Sequence, residues 1–223
     1  MGKTEKVVKL YDKYVMRTYA RVPLCLEKAR GARVEDIEGN VYLDFFPGWA
    51  VSGIGHCHPV VALAVRKQAG RLMHVSNNYY SQAQARLAET IIKNAFPGKV
   101  FFGNSGAEAN EAAVKLARKY GHDRGRFEVI TMTKSFHGRT LAMITATGQD
   151  KVKHGFEPLP QGFIHVPFND IEAVKAAVTD KTAGIMLEIE CDFALVALGA
   201  MGIDHLLPHR QHLLAQPGEI ALL

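Results

Sequence analysis

The segment Ser105-Gly106-Ala107-Glu108-Ala109-Asn110-Glu111 holds the residues best spaced for chemistry. A hydroxyl with a carboxylate three positions on is the spacing of a capping box, which satisfies the orphan N–H groups of a helix start. The same junction can cradle a phosphate. Gly106 lets the backbone approach closely, and unpaired N–H groups with the helix dipole favour an anion. No Gly-Lys-Ser/Thr ending follows, so it is not a P-loop. Local spacing leaves capping and anion binding both open. Ser135-Phe136-His137-Gly138-Arg139-Thr140 is the second such segment. An aromatic ring, an imidazole and a guanidinium this close can stack on a flat ligand and clamp a carboxylate bidentately. A surface loop with one buried Phe and a solvated Arg is the alternative. Gly55-His56-Cys57-His58-Pro59 invites a metal, but adjacent side chains diverge and no matching His/Cys pair lies at ligand spacing, so no metal site is expected. Glu188 closes an apolar run, as a paired core carboxylate or as a site group.

These residues need elements to hold them. Val100-Phe101-Phe102 reads as a short buried strand running through Gly103-Asn104 into a helix over 107–120. Ala109, Ala112, Ala113, Leu116, Ala117 and Tyr120 form its apolar stripe, and Gly121 its C-cap. A strand over 127–132 delivers the Ser135–Thr140 loop. Asn169, with Glu172 three positions on, starts a helix carrying Ile171, Val174 and Val178. A buried strand over 183–189 carries Glu188. Upstream, residues 33–46 read as a hairpin turning at Gly39-Asn40, and Pro59 opens a helix. A further helix over 82–95 places Leu87, Ala88, Ile91, Ile92 and Ala95 on one face and stops at Pro97-Gly98. Alternating strands and helices predict an α/β fold with a mainly parallel sheet, whose ligands bind at the carboxyl ends of its strands.

The composition narrows the function class. The 223 residues are 48% hydrophobic and 22% charged, which excludes disordered and collagen-like chains. The net charge of +5 is not gathered into a basic run, so no nucleic-acid partner is expected; a modest excess also suits small anionic substrates. Cys25, Cys57 and Cys191 are too few for a disulfide framework and fit a reducing compartment. Neither a signal-peptide pattern nor an apolar run of bilayer length is present, so the expectation is a cytoplasmic protein without membrane partners.

Taken together, four motifs in order resemble the class-III pyridoxal-phosphate-dependent aminotransferases, with acetylornithine-type members first and ornithine-type members next. They are Asp44-Phe45-Phe46-Pro47-Gly48-Trp49-Ala50-Val51, Gly55-His56-Cys57-His58-Pro59, Phe102-Gly103-Asn104 running into Ser105–Glu111, and Ser135–Thr140. The resemblance covers about residues 1–189. It implies the aspartate aminotransferase-like fold (fold type I), with residues 1–51 as the N-terminal part of the small domain and 52–189 as a partial cofactor-binding large domain. It implies pyridoxal 5'-phosphate as cofactor. Gly106 and Ala107 would hold the phosphate through backbone N–H groups, assisted by Ser105. Phe136 would stack on the pyridine ring with His137 beside it, and Glu188 would stand near the cofactor. Arg139 would bind the substrate α-carboxylate, and Trp49 would form part of the pocket wall. The implied reaction moves an amino group between an ω-amino or N-acetylornithine-type substrate and 2-oxoglutarate, in arginine biosynthesis. Its partners are small amino and 2-oxo acids, in a homodimer.

The resemblance breaks after Ile189. The family continues with Gln-Gly-Glu, an Asp for the pyridine nitrogen and the Schiff-base Lys. Here Glu190-Cys191-Asp192-Phe193 follows, and Lys181 is the last lysine. Residues 190–223 hold no Lys, one Arg and eight Leu, whereas the other 26 basic residues lie upstream. The C-terminal half of the family pattern is absent and no catalytic residue is assigned. The implied states are a chain inactive alone, a noncatalytic fragment that binds the phosphate or dimerises, or a damaged relative of the ornithine, succinylornithine or 4-aminobutyrate enzymes. Residues 190–223 are expected to arise from a frameshift or truncation. Translating the coding DNA past the Ile189 codon in the other frames should restore Gln-Gly-Glu and an Asp and a Lys motif; their absence from every frame refutes the frameshift.

Overall fold

The computed structural model describes residues 1–46, 48–49 and 51–188, and the backbone of 220–222. The rest of the atypical 190–223 segment lies outside the described residues. The chain divides into two compact units, Met1–Tyr79 and Tyr80–Leu223.

In the first unit, helix α1 (Lys3–Tyr14) precedes an antiparallel sheet of β1 (Leu26–Arg30), β2 (Arg33–Asp36) and β3 (Val41–Leu43). The predicted hairpin is β2–β3. Its turn is organised by the buried Asp36 carboxylate, which accepts from Glu38 N, Asn40 N, Asn40 Nδ2 and Tyr42 Oη at 2.8–3.0 Å. These donors, Asn40 foremost, hold its carboxyl down at about 2. Strand β1 has no counterpart in the sequence pattern, because Leu-Glu-Lys-Ala-Arg does not alternate; pairing with β2 makes it a strand. Helix α2 (Pro59–Ala69) opens at Pro59 as expected. The unit boundary lies beyond residue 51 for a local reason. Gly31 and His56 exchange both backbone hydrogen bonds at 2.9 Å, and His56 Nε2 meets Asp44 Oδ2 at 2.6 Å. The Gly/His loop is thereby tied to the sheet.

The second unit begins with α3 (Gln82–Asn94), β4 (Lys99–Phe101) and α4 (Gly106–Gly121). Next come β5 (Glu128–Met132), α5 (Leu141–Ala146), β6 (Phe163–Val166), α6 (Ile171–Ala177) and β7 (Thr182–Ile185). β8 (Ile220–Leu222) pairs in parallel with β4, a strand the 190–223 pattern did not announce. β6-β5-β7 form a parallel sheet with β5 central. Residues of β5 alternate between two cores. Val129 packs with Ala113, Val114, Met143, Ala146 and Met186, whereas Ile130 and Met132 pack with Val166 and Val174. Burial on both faces is what a parallel sheet requires.

Three local expectations need correction. The buried face of α4 is Ala109, Asn110, Ala113, Val114, Ala117 and Gly121, while Tyr120 is exposed and Ala112 and Leu116 are half-buried. The helix is alanine-rich on two faces, and the tighter one won by packing on β7, where Gly184 lies close to Ala117. Gly121 is not the C-cap: it retains right-handed helical geometry, and the left-handed position is Gly125, after a 3-10 turn over His122–Arg124. The α6 cap is Asp170, whose carboxylate accepts from Ala173 N at 2.9 Å; Asn169 instead takes a positive φ of 61°. Helix α3 buries no residue fully, although Ala88, Ile91 and Ile92 are half-buried along the predicted face. Because Ile130 is fully buried in the strand that carries the 135–140 loop, Ile130→Ala should cost about 2–5 kcal/mol, read as a lower urea midpoint at unchanged slope.

Candidate functional site

The site is assembled where two strand-ends deliver their loops. β4 runs through Gly103-Asn104 into α4, and β5 ends at Met132 just before residues 133–140. Both are carboxyl ends of strands in parallel pairs, the edge at which α/β folds bind ligands.

The α4 start forms the predicted cap in a modified register. Ser105 Oγ accepts from Glu108 N at 3.2 Å, and Glu108 Oε2 accepts from Asn104 N, one residue before the cap. Ser105 O accepts from Ala109 N at 3.0 Å, so the helix ladder begins there. The N–H groups of Gly106 and Ala107 belong to the first turn, which has no preceding helical carbonyls to meet them. A Cβ built on Gly106 meets nothing within 4 Å. Capping and anion binding are thus compatible: the cap uses Ser105 Oγ and Glu108, leaving the first-turn N–H groups for a ligand.

The 135–140 loop is pinned from several directions. Ser135 Oγ donates to Met132 O at 2.6 Å, and Gln149 Nε2 donates to Ser135 O at 3.0 Å. Phe136 N donates to Glu188 Oε2 at 2.5 Å. His137 N donates to Thr147 Oγ1 at 2.9 Å, and His137 O accepts from Asn110 Nδ2 at 2.8 Å. Thr140 Oγ1 donates to Glu111 Oε1. Gly138 has a φ of +131°, and a Cβ there would lie 2.7 Å from Ala107 Cβ. Only glycine permits that backbone and that approach together. The Ser135–Thr140 loop and the Ser105–Glu111 helix start are therefore one packed body.

The side chains then separate into two sets. Phe136 is 44% exposed, and Arg139, also exposed, holds its guanidinium carbon 6.0 Å from the ring centroid. Ser105 and Gly106 are exposed, and Ala107 is half-buried. Glu188 is exposed beyond the end of β7, which rules out the paired core carboxylate; its partner is a loop amide. His137 is different, being only 4% exposed, with Nε2 buried and without a partner among the described residues. Burial, with the nearby His165 as a second cause, pushes its pKa down to about 4. Its ring is withdrawn from the surface that Phe136 and Arg139 present. Trp49 belongs to the first unit, where it is 87% exposed at a φ of 57° and stands edge-on to Phe46 at 5.6 Å. Asn110, Thr147 and Glu111 hold the loop but were not singled out from the sequence for that task. A polar residue within the apolar face of a helix was the available signal for Asn110. Among the described residues, no group of three or more His, Cys, Asp or Glu could hold a metal ion, and no helix is long and apolar enough to cross a membrane.

Residues 14–191 match the family model described as aminotransferase class-III. The acetylornithine aminotransferase of Caldanaerobacter subterraneus subsp. tengcongensis is 54% identical over 180 residues, covering 79% of this chain and 46% of that protein. The chain thus spans about half the length of the curated relatives it matches. Among solved structures, the ornithine aminotransferase of Toxoplasma gondii ME49 superposes with a TM-score of 0.79 at 30% identity, covering 84% of this chain and 46% of that one. The taurine:2-oxoglutarate aminotransferase of Bifidobacterium kashiwanohense, in complex with PLP and glutamate, gives 0.72 at 26% identity, covering 84% and 48%.

The buried imidazole carries a pH signature. The folded state holds the His137 pKa below the unfolded value, so between about pH 6.5 and 4 the unfolded chain binds a proton that the folded chain does not. Stability should therefore be intact near pH 7 and fall as the pH drops through that window, by up to about 1.4 kcal/mol per pH unit for this group. Urea unfolding at pH 7 and pH 5 checks it, and His137→Phe should flatten the dependence; His165, also shifted down, acts in the same direction and leaves a remainder.

Proposed function

The chain belongs to the class-III aminotransferase family, and on that premise we propose that its α4 start and 135–140 loop are the phosphate-holding and ring-holding parts of a pyridoxal-phosphate site. The family and its structural neighbours depend on this cofactor. One observation carries the proposal: open space beside Gly106, in the first turn of a helix whose N–H groups have no helical carbonyls to meet them, on a body shared with an exposed Phe and Arg. The residues fit the group. Gly106 and Ala107 N–H would hold the phosphate, with Ser105 assisting. Phe136 would stack on the ring, His137 would support the loop from beneath, and Glu188 would stand by through its hold on Phe136 N–H. Arg139 would take the substrate α-carboxylate as a bidentate donor, and Trp49 would wall the pocket. When bound, the cofactor supplies an electron sink that lets an amino group and a proton leave the substrate Cα.

The substrate reading follows the relatives. Acetylornithine aminotransferases at 54% and 53% identity favour an N-acetylornithine-type donor with 2-oxoglutarate as acceptor, in arginine biosynthesis. Residues 1–51 would be the start of the small domain and 52–189 the partial cofactor domain. A cytoplasmic homodimer completes the reading. It is supported by large apolar side chains exposed on the first unit, Phe45, Trp49 and Val51 among them, a surface that association would cover. A second reading is a noncatalytic chain that retains only the phosphate hold. It is favoured by the departure at Glu190-Cys191-Asp192-Phe193, where the family pattern has Gln-Gly-Glu.

Titrating the purified chain with pyridoxal phosphate, then reducing with borohydride and mapping peptides, separates the readings. The expected outcome is binding that pyridoxal without its phosphate does not match, and no adduct confined to one lysine. A stoichiometric adduct on one lysine would instead mean that this lysine takes the Schiff-base role, and would overturn the noncatalytic reading's premise. Gly106→Val, whose side chain enters open space in the protein, should leave the melting temperature within a few degrees and raise the Kd by about tenfold or more. An unchanged Kd overturns the cradle.

A further inference from the structure

We infer that Asn110 is a positioning residue for the Phe136–Arg139 loop, acting from inside helix α4. The inference rests on the pyridoxal-phosphate reading above and adds a residue that this reading does not use.

Asn110 lies on the apolar face of α4 beside Ala109, Ala113 and Val114, and is only 5% exposed. An amide there carries a desolvation cost that an aliphatic residue of the same size would avoid. Its Nδ2 donates to His137 O at 2.8 Å, whereas its Oδ1 is buried without a partner among the described residues. Of the two donors and two lone pairs that an asparagine amide offers, one donor is used among the described residues, so what the side chain achieves at this position is its hold on one loop carbonyl. The amide of the same residue is held from the other side, because His137 N donates to the buried Thr147 Oγ1. Residue 137 is thus fixed at both of its backbone groups, one toward α4 and one toward the end of α5.

The neighbours of that fixed residue are the ones that present chemistry. Phe136 precedes it and Arg139 follows after Gly138, which lies against Ala107. Asn110 stands four residues, about one turn, beyond Gly106 on the same helix. The element that offers first-turn N–H groups to an anion therefore also sets where the aromatic ring stands. Phosphate affinity depends on the helix start alone. Affinity for a ligand with a phosphate and a flat ring depends in addition on Asn110.

The test uses the full chain with Asn110→Leu, which keeps the branching and the number of side-chain heavy atoms and removes the donor to His137 O. Hydrogen exchange without ligand should speed up about tenfold or more at residues 136–139 while β5 and the body of α4 stay protected. The Kd for inorganic phosphate should stay within about twofold. That for pyridoxal phosphate should rise about tenfold, with loss of the circular dichroism that a fixed ring induces in the bound cofactor. Equal losses for phosphate and pyridoxal phosphate, with exchange rising throughout α4, would make Asn110 a general stability residue and overturn the inference. So would a loop as protected as the parent's. If the parent binds neither ligand, the cofactor reading fails, while the exchange measurement still decides for or against Asn110. Should Asn110→Leu not fold, Asn110→Ala removes the same donor without adding bulk and is read in the same way.

Discussion

The contact between Gly138 and Ala107 is the constraint on which the candidate site depends. Ala107 stands in the first turn of α4, after β4, and Gly138 in the loop after β5. They meet because residue 138 has no side chain and a φ of +131°. A methyl group there would need to share space with Ala107 Cβ at 2.7 Å. Interiors are packed too closely to absorb such an overlap without moving a backbone. The separation between a helix start that offers N–H groups and a loop that offers an aromatic ring is therefore a packing property. The hydrogen bonds from Asn110 and to Thr147 and Glu188 then fix the orientation of what packing has brought together.

Beneath that contact lies a sheet buried on both faces. β5 is central, and its alternate residues face α4 and α5 on one side and α6 on the other. This gives the 135–140 loop a rigid root at Met132. It also places titratable groups in the interior. His137 has an Nε2 without a partner among the described residues, and His165 lies close enough to lower its proton affinity. Burial pushes the His165 pKa down, and the charge of Lys153, whose Nζ stands 3.5 Å from His165 Nε2, adds to it. Two imidazoles held toward the neutral form suit packing near neutral pH and work against it in acid.

The first unit is organised by different physics. Its sheet has one tight polar knot, in which Asp36 collects four hydrogen bonds in the hairpin turn. The Asp44–His56 pair and the reciprocal Gly31–His56 bonds attach the Gly/His loop. The His and Cys of that loop, which suggested a metal by type, are used instead as a hydrogen-bonded anchor and an exposed thiol. Helices α1 and α2 bury no residue fully, so this unit has little apolar core of its own.

What the sequence determined by itself was what local chemistry can determine. Pro59 opened a helix, Pro97-Gly98 closed one, Gly39-Asn40 turned a hairpin, and Ser105 with Glu108 marked a helix start. Each depends on backbone preferences within a few residues. The order of the motifs was equally legible, and it pointed to the family. Tertiary structure decided the rest, because those outcomes depend on partners distant in sequence. Which of two alanine-rich faces of α4 is buried was set by β7, and Leu-Glu-Lys-Ala-Arg became a strand because β2 lies beside it. Glu188 was assigned to the loop amide by the loop's approach, and the imidazole of His137 was buried beneath the loop. Asn110 shows the limit most plainly. Its partner lies 27 residues on, and no helical period or capping spacing reaches that far.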